Sequence, residues 1–185
     1  MDFLIASGGL LFFALPMIFL TWRIRRKSNA SPFFHQIRIG CQGCTFTIVK
    51  FRTMSEGGDV LSSFSQRLRD TAMDELPQLF HIWRGQMSFV GPRPLIPEEL
   101  EELRQMAQGI RRFDIRPGLT GLAQLYATKV PPLAERLMWD LRYVDHCSFF
   151  LDIKILVKSL WITLRGAWEP RYKSKAPLEN PPWPF

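Results

Sequence analysis

The longest uncharged run of the chain is Phe3 to Trp22, FLIASGGLLFFALPMIFLTW, and Arg23, Arg25, Arg26 and Lys27 follow it at once. Twenty helical residues rise about 30 Å, enough to cross the hydrocarbon core of a bilayer. The basic cluster belongs on the cytoplasmic side. No positive segment precedes the run and no small-residue cleavage site ends it, so a signal peptide does not fit. Pro16 lies inside the run, where it removes a helix bond and favours a kink. A kinked spanning helix and a helix that enters and returns both fit this pattern.

Beyond the anchor the periodicity changes. Two runs rich in Phe, Ile, Thr and Val within 33–54 flank Gly-Cys-Gln-Gly-Cys at 40–44, which predicts a β-hairpin. Lys50 and Arg52 alternate with Phe51 and so share a strand face from which both reach for a phosphate. Residues 55–70 read as a polar loop running into a basic helix that ends near Arg67 and Arg69. Leu76, Leu79, Phe80 and Trp83 recur at helical spacing, and Gly85 is a natural stop. Residues 97–113 predict one helix, acidic early and basic late, in keeping with the helix dipole. Leu137, Leu141 and Val144 mark a helix from Leu133 to Tyr143, with Asp140 able to pair with Arg136. The apolar stretch 148–166 carries Lys154, Lys158 and Arg165, a pattern that suits a helix lying in the membrane interface with basic groups reaching headgroups. The tail, 167–185, is proline-rich and irregular, with Trp168 and Trp183 suited to the interface.

Charge narrows the partners. The formal net charge of +7 favours anionic ligands: nucleic acid, acidic lipid headgroups or a nucleotide. The basic residues form no block of five, and Arg93 and Arg116 lie in Pro-Gly loops rather than on a basic helix, which argues against nucleic acid. Cys41 and Cys44 form a C-x-x-C, but only Cys147 and scattered histidines remain to complete a zinc site, so the pair reads as a turn in a reducing cytoplasm.

The chemistry concentrates in Met73 to Leu95, MDELPQLFHIWRGQMSFVGPRPL. Pro77 is tolerated only in a first helical turn, which puts Asp74 and Glu75 at or just before a helix N-terminus. There the dipole lowers carboxylate pKa values, and an ionised aspartate can act as a nucleophile. The plain alternative makes Asp74 an N-cap with Glu75 in the first turn. Arg93, locked between Pro92 and Pro94, suits bidentate capture of a phosphate. Arg116-Pro117-Gly118 is a second stiff turn with an arginine, and together the two read as a diphosphate clamp.

Six blocks stand in order after the apolar segment: FFHQIRIG at 33–40, KFRTM at 50–54, DELPQL at 74–79, MSFVGPRP at 87–94, IRPGLTGLAQ at 115–124, and the spaced set Leu137, Asp140, Tyr143, Ser148, Asp152. In these blocks the chain resembles the small monotopic phosphoglycosyl transferases, the bacterial sugar-transferase family that starts glycan assembly on a polyprenyl phosphate. The resemblance implies a mostly helical α+β fold: a re-entrant, kinked membrane helix in 1–27, and a cytoplasmic catalytic domain with interfacial helices in 28–166. It implies a UDP-sugar and undecaprenyl or another polyprenyl phosphate as substrates, at the bacterial cytoplasmic membrane with the site facing the cytoplasm. It makes Asp74 the nucleophile and Glu75 a Mg2+ ligand. Lys50, Arg93 and Arg116 become phosphate ligands, and Asp140 comes near the catalytic pair. Two positions depart from the family pattern: Leu15 stands where a serine precedes the helix-breaking Pro16, and Gln86 where an acidic residue is usual. A catalytically silent, membrane-anchored adaptor on the same scaffold is the alternative. No motif specifies the sugar or the oligomeric state.

Overall fold

The computed structural model of the chain describes residues 1–27, 30–55, 57–127, 131–166 and 168. The expected tail therefore lies outside the described residues, Trp168 excepted. The described chain is mostly helical with two small sheets.

Helix α1, Asp2–Lys27, runs through Pro16 as one helix, so the expected break is not present as an interruption. Both of its faces are apolar, and they have different neighbours. Ala6 packs with Ile48, Leu79, Ile82 and Met87, and Gly9 lies against Leu79. Three turns further on, Leu20 and Ile24 pack with Phe51 and Leu68. The opposite stripe, Leu4, Leu11, Leu15, Ile18 and Trp22, is exposed. Spacings of three, four and seven put those five side chains on one side of a helix.

The hairpin forms as expected: β1, Phe33–Ile39, pairs antiparallel with β2, Thr45–Phe51, placing Phe34 opposite Lys50. Helix α2, Ser63–Asp70, is capped by Ser62, whose hydroxyl accepts from the Ser65 N–H. A 3-10 turn, Met73–Gln78, then leads into α3, Leu79–Trp83, which ends at Gly85 with φ +75°. The single helix expected over 97–113 is broken. It becomes a 3-10 turn at Pro97–Glu99, α4 at Leu100–Gln105, and a second 3-10 turn at Gly109–Phe113. Gln108 turns left-handed at φ +59°, and Gly109 then packs so close to the Leu103 carbonyl that a β-carbon has no room.

One pairing was not expected. β3, Ser88–Val90, runs parallel to β4, Gly118–Thr120, in the segment read from sequence as a turn. Gly91 and Gly118 cross backbone to backbone there, with no space for a side chain at either. The crossing joins the loop of Arg93 to the loop of Arg116. Helices α5, Leu122–Tyr126, α6, Leu133–His146, and α7, Phe149–Leu164, complete the domain.

α7 buries Leu151, Ile155, Ser159 and Ile162, and exposes Phe150, Val157, Leu160, Trp161 and Leu164. Its basic groups are not all free to meet headgroups as expected. Lys158 donates to the Tyr126 hydroxyl at 2.6 Å and lies over that ring, while Arg165 stacks on Trp161. The first residues of α1 and α7 converge, since Asp2, Ser148 and Phe149 line one cleft.

Candidate active site

Three separate segments meet at one carboxylate oxygen. Glu75, in the first turn of the 3-10 segment, accepts at Oε1 from Lys50 Nζ and from Arg93 Nη2, the latter at 3.1 Å. Lys50 comes from β2, on the face that also carries Ile48, whose packing on Leu79 and Ile82 brings the strand against the helix. Arg93 comes from the loop after β3. The side chains of Lys50 and Glu75 are 14% and 15% exposed, whereas Arg93 is 39% exposed. Arg93 is thus the most exposed member of the cluster.

The two adjacent carboxyls are driven apart electrostatically. Burial, then the charge of Glu75, pushes Asp74 up to about 6, against the pull of Lys50, Arg69 and Arg93. Burial also pushes Glu75 up, but Lys50 and then Arg93, both bonded to it, outweigh that and hold it at about 2. This corrects the expectation that the helix N-terminus lowers Asp74. One short 3-10 turn supplies little dipole, and burial beside a fixed anion dominates. The outcome is one permanent anion and one carboxylate of raised basicity.

The loop of Arg93 is held from beneath by groups that sequence reasoning missed. Arg38 on β1 donates to the Pro94 carbonyl at 3.0 Å. Arg112, 4% exposed, donates to the Arg93 carbonyl at 2.6 Å and pairs with Asp140 at 2.9 Å. Arg112 Nη1 has no partner among the described residues, and the residue lines a cavity of about 10 Å³ beneath Pro92–Pro94, the size of a single water. Asp140, expected near the catalytic pair, lies beneath that loop. It is 2% exposed, its partner is Arg112 rather than Arg136, and Arg136 pairs with Glu99.

Two other expected ligands lie elsewhere. β2 ends at Phe51, so alternation does not carry Arg52 onto the face of Lys50. Arg52 instead donates to the carbonyls of Ser31 and Phe33. Arg116 leaves the β3–β4 crossing toward a cleft of about 360 Å³ lined also by Ser88, Tyr143, Ser148 and Asp152. Its side chain makes no hydrogen bond or ion pair among the described residues, and it lines a different cleft from the one that Arg93 lines. Arg69, not singled out from sequence, acts on Asp74 through its charge and bonds Met54 Sδ at 2.8 Å. The only hint in the sequence was its place at the end of the basic helix.

Residues 1–166 match the family model described as Bacterial sugar transferase. The chain belongs to that family. It is 37% identical over 143 residues to the uncharacterized sugar transferase EpsL of Bacillus subtilis, covering 72% of this chain and 70% of that protein. It is 36% identical to the exopolysaccharide production protein ExoY of Rhizobium meliloti, covering 86% of this chain and 81% of ExoY. It is 31% identical to the UDP-glucose:undecaprenyl-phosphate glucose-1-phosphate transferase of Caulobacter vibrioides, covering 80% of this chain and 62% of that protein. The protein is accordingly an enzyme, a phosphoglycosyl transferase.

The buried pair beneath the transferase's arginine loop yields a direct expectation. Asp140→Asn keeps the shape but leaves Arg112 as an uncompensated buried charge, at a cost of about 3–5 kcal/mol. A thermal melt should show a clear fall in Tm, and turnover should fall with it. A variant with wild-type Tm and activity would show that the pair does not hold the Arg93 loop.

Proposed function

We propose that the enzyme transfers a sugar 1-phosphate from a UDP-sugar to a polyprenyl phosphate such as undecaprenyl phosphate, by way of a phosphosugar carried on Asp74. The observation that supports this reading most is the split between neighbouring carboxylates: Glu75 fixed as an anion by Lys50 and Arg93, Asp74 raised to about 6 beside it. A carboxylate with a pKa near 6 is ionised at neutral pH, yet more basic than an ordinary aspartate, which favours attack on phosphorus. An Asp74 oxygen bonds to the sugar-bearing phosphorus while the bond to the bridging oxygen breaks, and UMP leaves. A phosphate oxygen of the lipid then attacks the same phosphorus and releases the Asp74 carboxylate. The product is a polyprenyl diphosphate sugar, the first lipid-linked step toward a bacterial glycan such as an exopolysaccharide. Arg93 receives phosphoryl oxygens at the exposed edge of the cluster, and Lys50 sets the charge of Glu75 from beneath.

Magnesium fits this donor set. Glu75 Oε1 carries both cations, while Oε2 has no hydrogen bond among the described residues. Mg2+ is commonly bound through one or two carboxylates with substrate phosphates and water, so Glu75, with Asp74 beside it, would hold the ion. When bound, the ion would offset diphosphate charge.

We propose further that the enzyme is monotopic, with both ends of α1 on the cytoplasmic face of the bacterial inner membrane. Ala6 near one end and Ile24 near the other are buried against the same domain, and the Asp2 cleft is built from that domain too. A helix crossing the bilayer upright would have to drag Ile48, Leu79 and Ile82 across with it. The exposed stripe from Leu4 to Trp22 then faces lipid, and Phe80 and Trp83, each 40% exposed, flank it.

Three outcomes test these readings. Incubation with UDP-sugar alone should add one phosphosugar to the intact mass of the wild type and none to Asp74→Asn, which folds but has no attacking carboxylate. A wild type that turns over without ever carrying the adduct would favour direct transfer between the two substrates. Chelation should abolish turnover, and Glu75→Gln should weaken activation by Mg2+; full activity in excess chelator would remove the metal from the scheme. With Cys41, Cys44 and Cys147 replaced, single cysteines near residues 2 and 28 should both resist an impermeant thiol reagent in intact cells and label after lysis. Labelling of the residue-2 cysteine in intact cells would establish a spanning helix.

A further inference from the structure

His81 on α3 is 5% exposed, and none of the chemistry above uses it. Both of its ring nitrogens are engaged. The Val49 N–H donates to Nε2 at 3.2 Å, and Nδ1 lies 2.8 Å from Gln86 Oε1. A nitrogen that accepts carries no proton, so these partners assign a neutral ring with its hydrogen on Nδ1, donated to Gln86.

The turn that ends α3 delivers Gln86 to the ring. With Gly85 at φ +75°, the Gly85 N–H donates to the Ile82 carbonyl and the Gln86 N–H to the His81 carbonyl, both at 2.9 Å. This is the paired-bond stop of a Schellman motif. It folds Gln86 back beside the residue whose carbonyl it caps. The amide oxygen of Gln86 accepts the Nδ1 hydrogen, which leaves Nε2 as the acceptor for Val49.

β2 pairs with β1 on one side only, so the outward amide of Val49 needs an acceptor from elsewhere. His81 supplies it. We propose that His81, held in its Nδ1–H tautomer by Gln86, is a positioning residue for the contact between Lys50 and Glu75. The proposal rests on the reading of those two residues as active-site groups. Lys50 follows Val49 directly, and Glu75 precedes His81 by six residues on the same helical run. The bond therefore ties strand to helical run directly beside Lys50 and under two helical turns on from Glu75. The packing of Ile48 on Leu79 and Ile82 presses strand and helix together, but apolar contact is non-directional and does not stop the strand sliding along its own axis. A directional hydrogen bond does.

The test compares His81→Leu, which fills the space without an acceptor, with His81→Gln, whose side-chain oxygen extends toward the Nε2 position. Both are made in the full chain, in membrane mimetic, with a UDP-sugar and polyprenyl phosphate. In His81→Leu, kcat should fall about 10- to 100-fold while KM for the UDP-sugar moves less than about 2-fold, because the loss is one of alignment. His81→Gln should recover most of kcat even if its Tm is no higher than that of the leucine variant. Long-range proton–nitrogen spectra of the wild type should show the Nδ1–H tautomer at neutral pH, and the Val49 amide should exchange slowly in the wild type and fast in His81→Leu. A wild-type kcat in His81→Leu, a glutamine variant as impaired as leucine, or an Nε2–H tautomer would each overturn the proposal. A wild-type protein that releases no UMP would instead overturn the proposed reaction, and the tautomer and amide exchange would still decide whether His81 holds the strand to the helix.

Discussion

The site depends on one constraint: the Glu75 carboxylate is buried and must be matched by positive charge. A carboxylate taken out of water without partners would protonate or unfold its surroundings. Lys50 and Arg93 meet that requirement from two other parts of the chain, and in doing so they fix a strand, a helical turn and a loop relative to each other. The same match sets the chemistry. With Glu75 held ionised, its charge adds to burial in raising Asp74, so two identical functional groups at adjacent positions acquire different basicities.

The surrounding structure serves to keep that meeting point in place. Arg38 and the buried Arg112–Asp140 pair grip the carbonyls of Pro94 and Arg93, while the Gly91–Gly118 crossing leaves the loop no slack. Helix α1 takes part as well. Leu76, next to Glu75, packs against both clusters that α1 builds, one around Ala6 and Ile48, the other around Leu20 and Phe51. Helix α1 and the cluster around Glu75 are therefore one packed unit, which suits the proposed transfer between a soluble and a lipid substrate.

Much of the fold was legible in the sequence. The hairpin, the stop at Gly85, the α6 pattern and the apolar α7 all followed from periodicity and turn residues, and the charged blocks pointed to Asp74, Glu75, Lys50 and Arg93. What was not legible is what depends on neighbours distant in the chain. The break in 97–113 is the local exception: Gln108 turns left-handed and Gly109 folds onto Leu103 six residues back, which a charge pattern does not register. β3 and β4 are three residues each and glycine-bound, too short for alternation to register. Arg52 was misplaced because the strand ends one residue too early. Asp140 was read through Arg136 on its own helix, whereas its partner lies on another segment. The Asp74 pKa was misjudged because burial cannot be seen in a motif.

The central claim, that the cluster separates the two carboxylates, is open to direct measurement. Carbon-13 labelling of the Asp and Glu side-chain carboxyls, with Asp74→Asn and Glu75→Gln used to assign the signals, allows each group to be titrated by NMR in the intact protein. Asp74 should titrate at about 6 and Glu75 should remain ionised down to about 2. Both groups titrating together near the ordinary carboxylate range of about 4, or Glu75 titrating above Asp74, would contradict it.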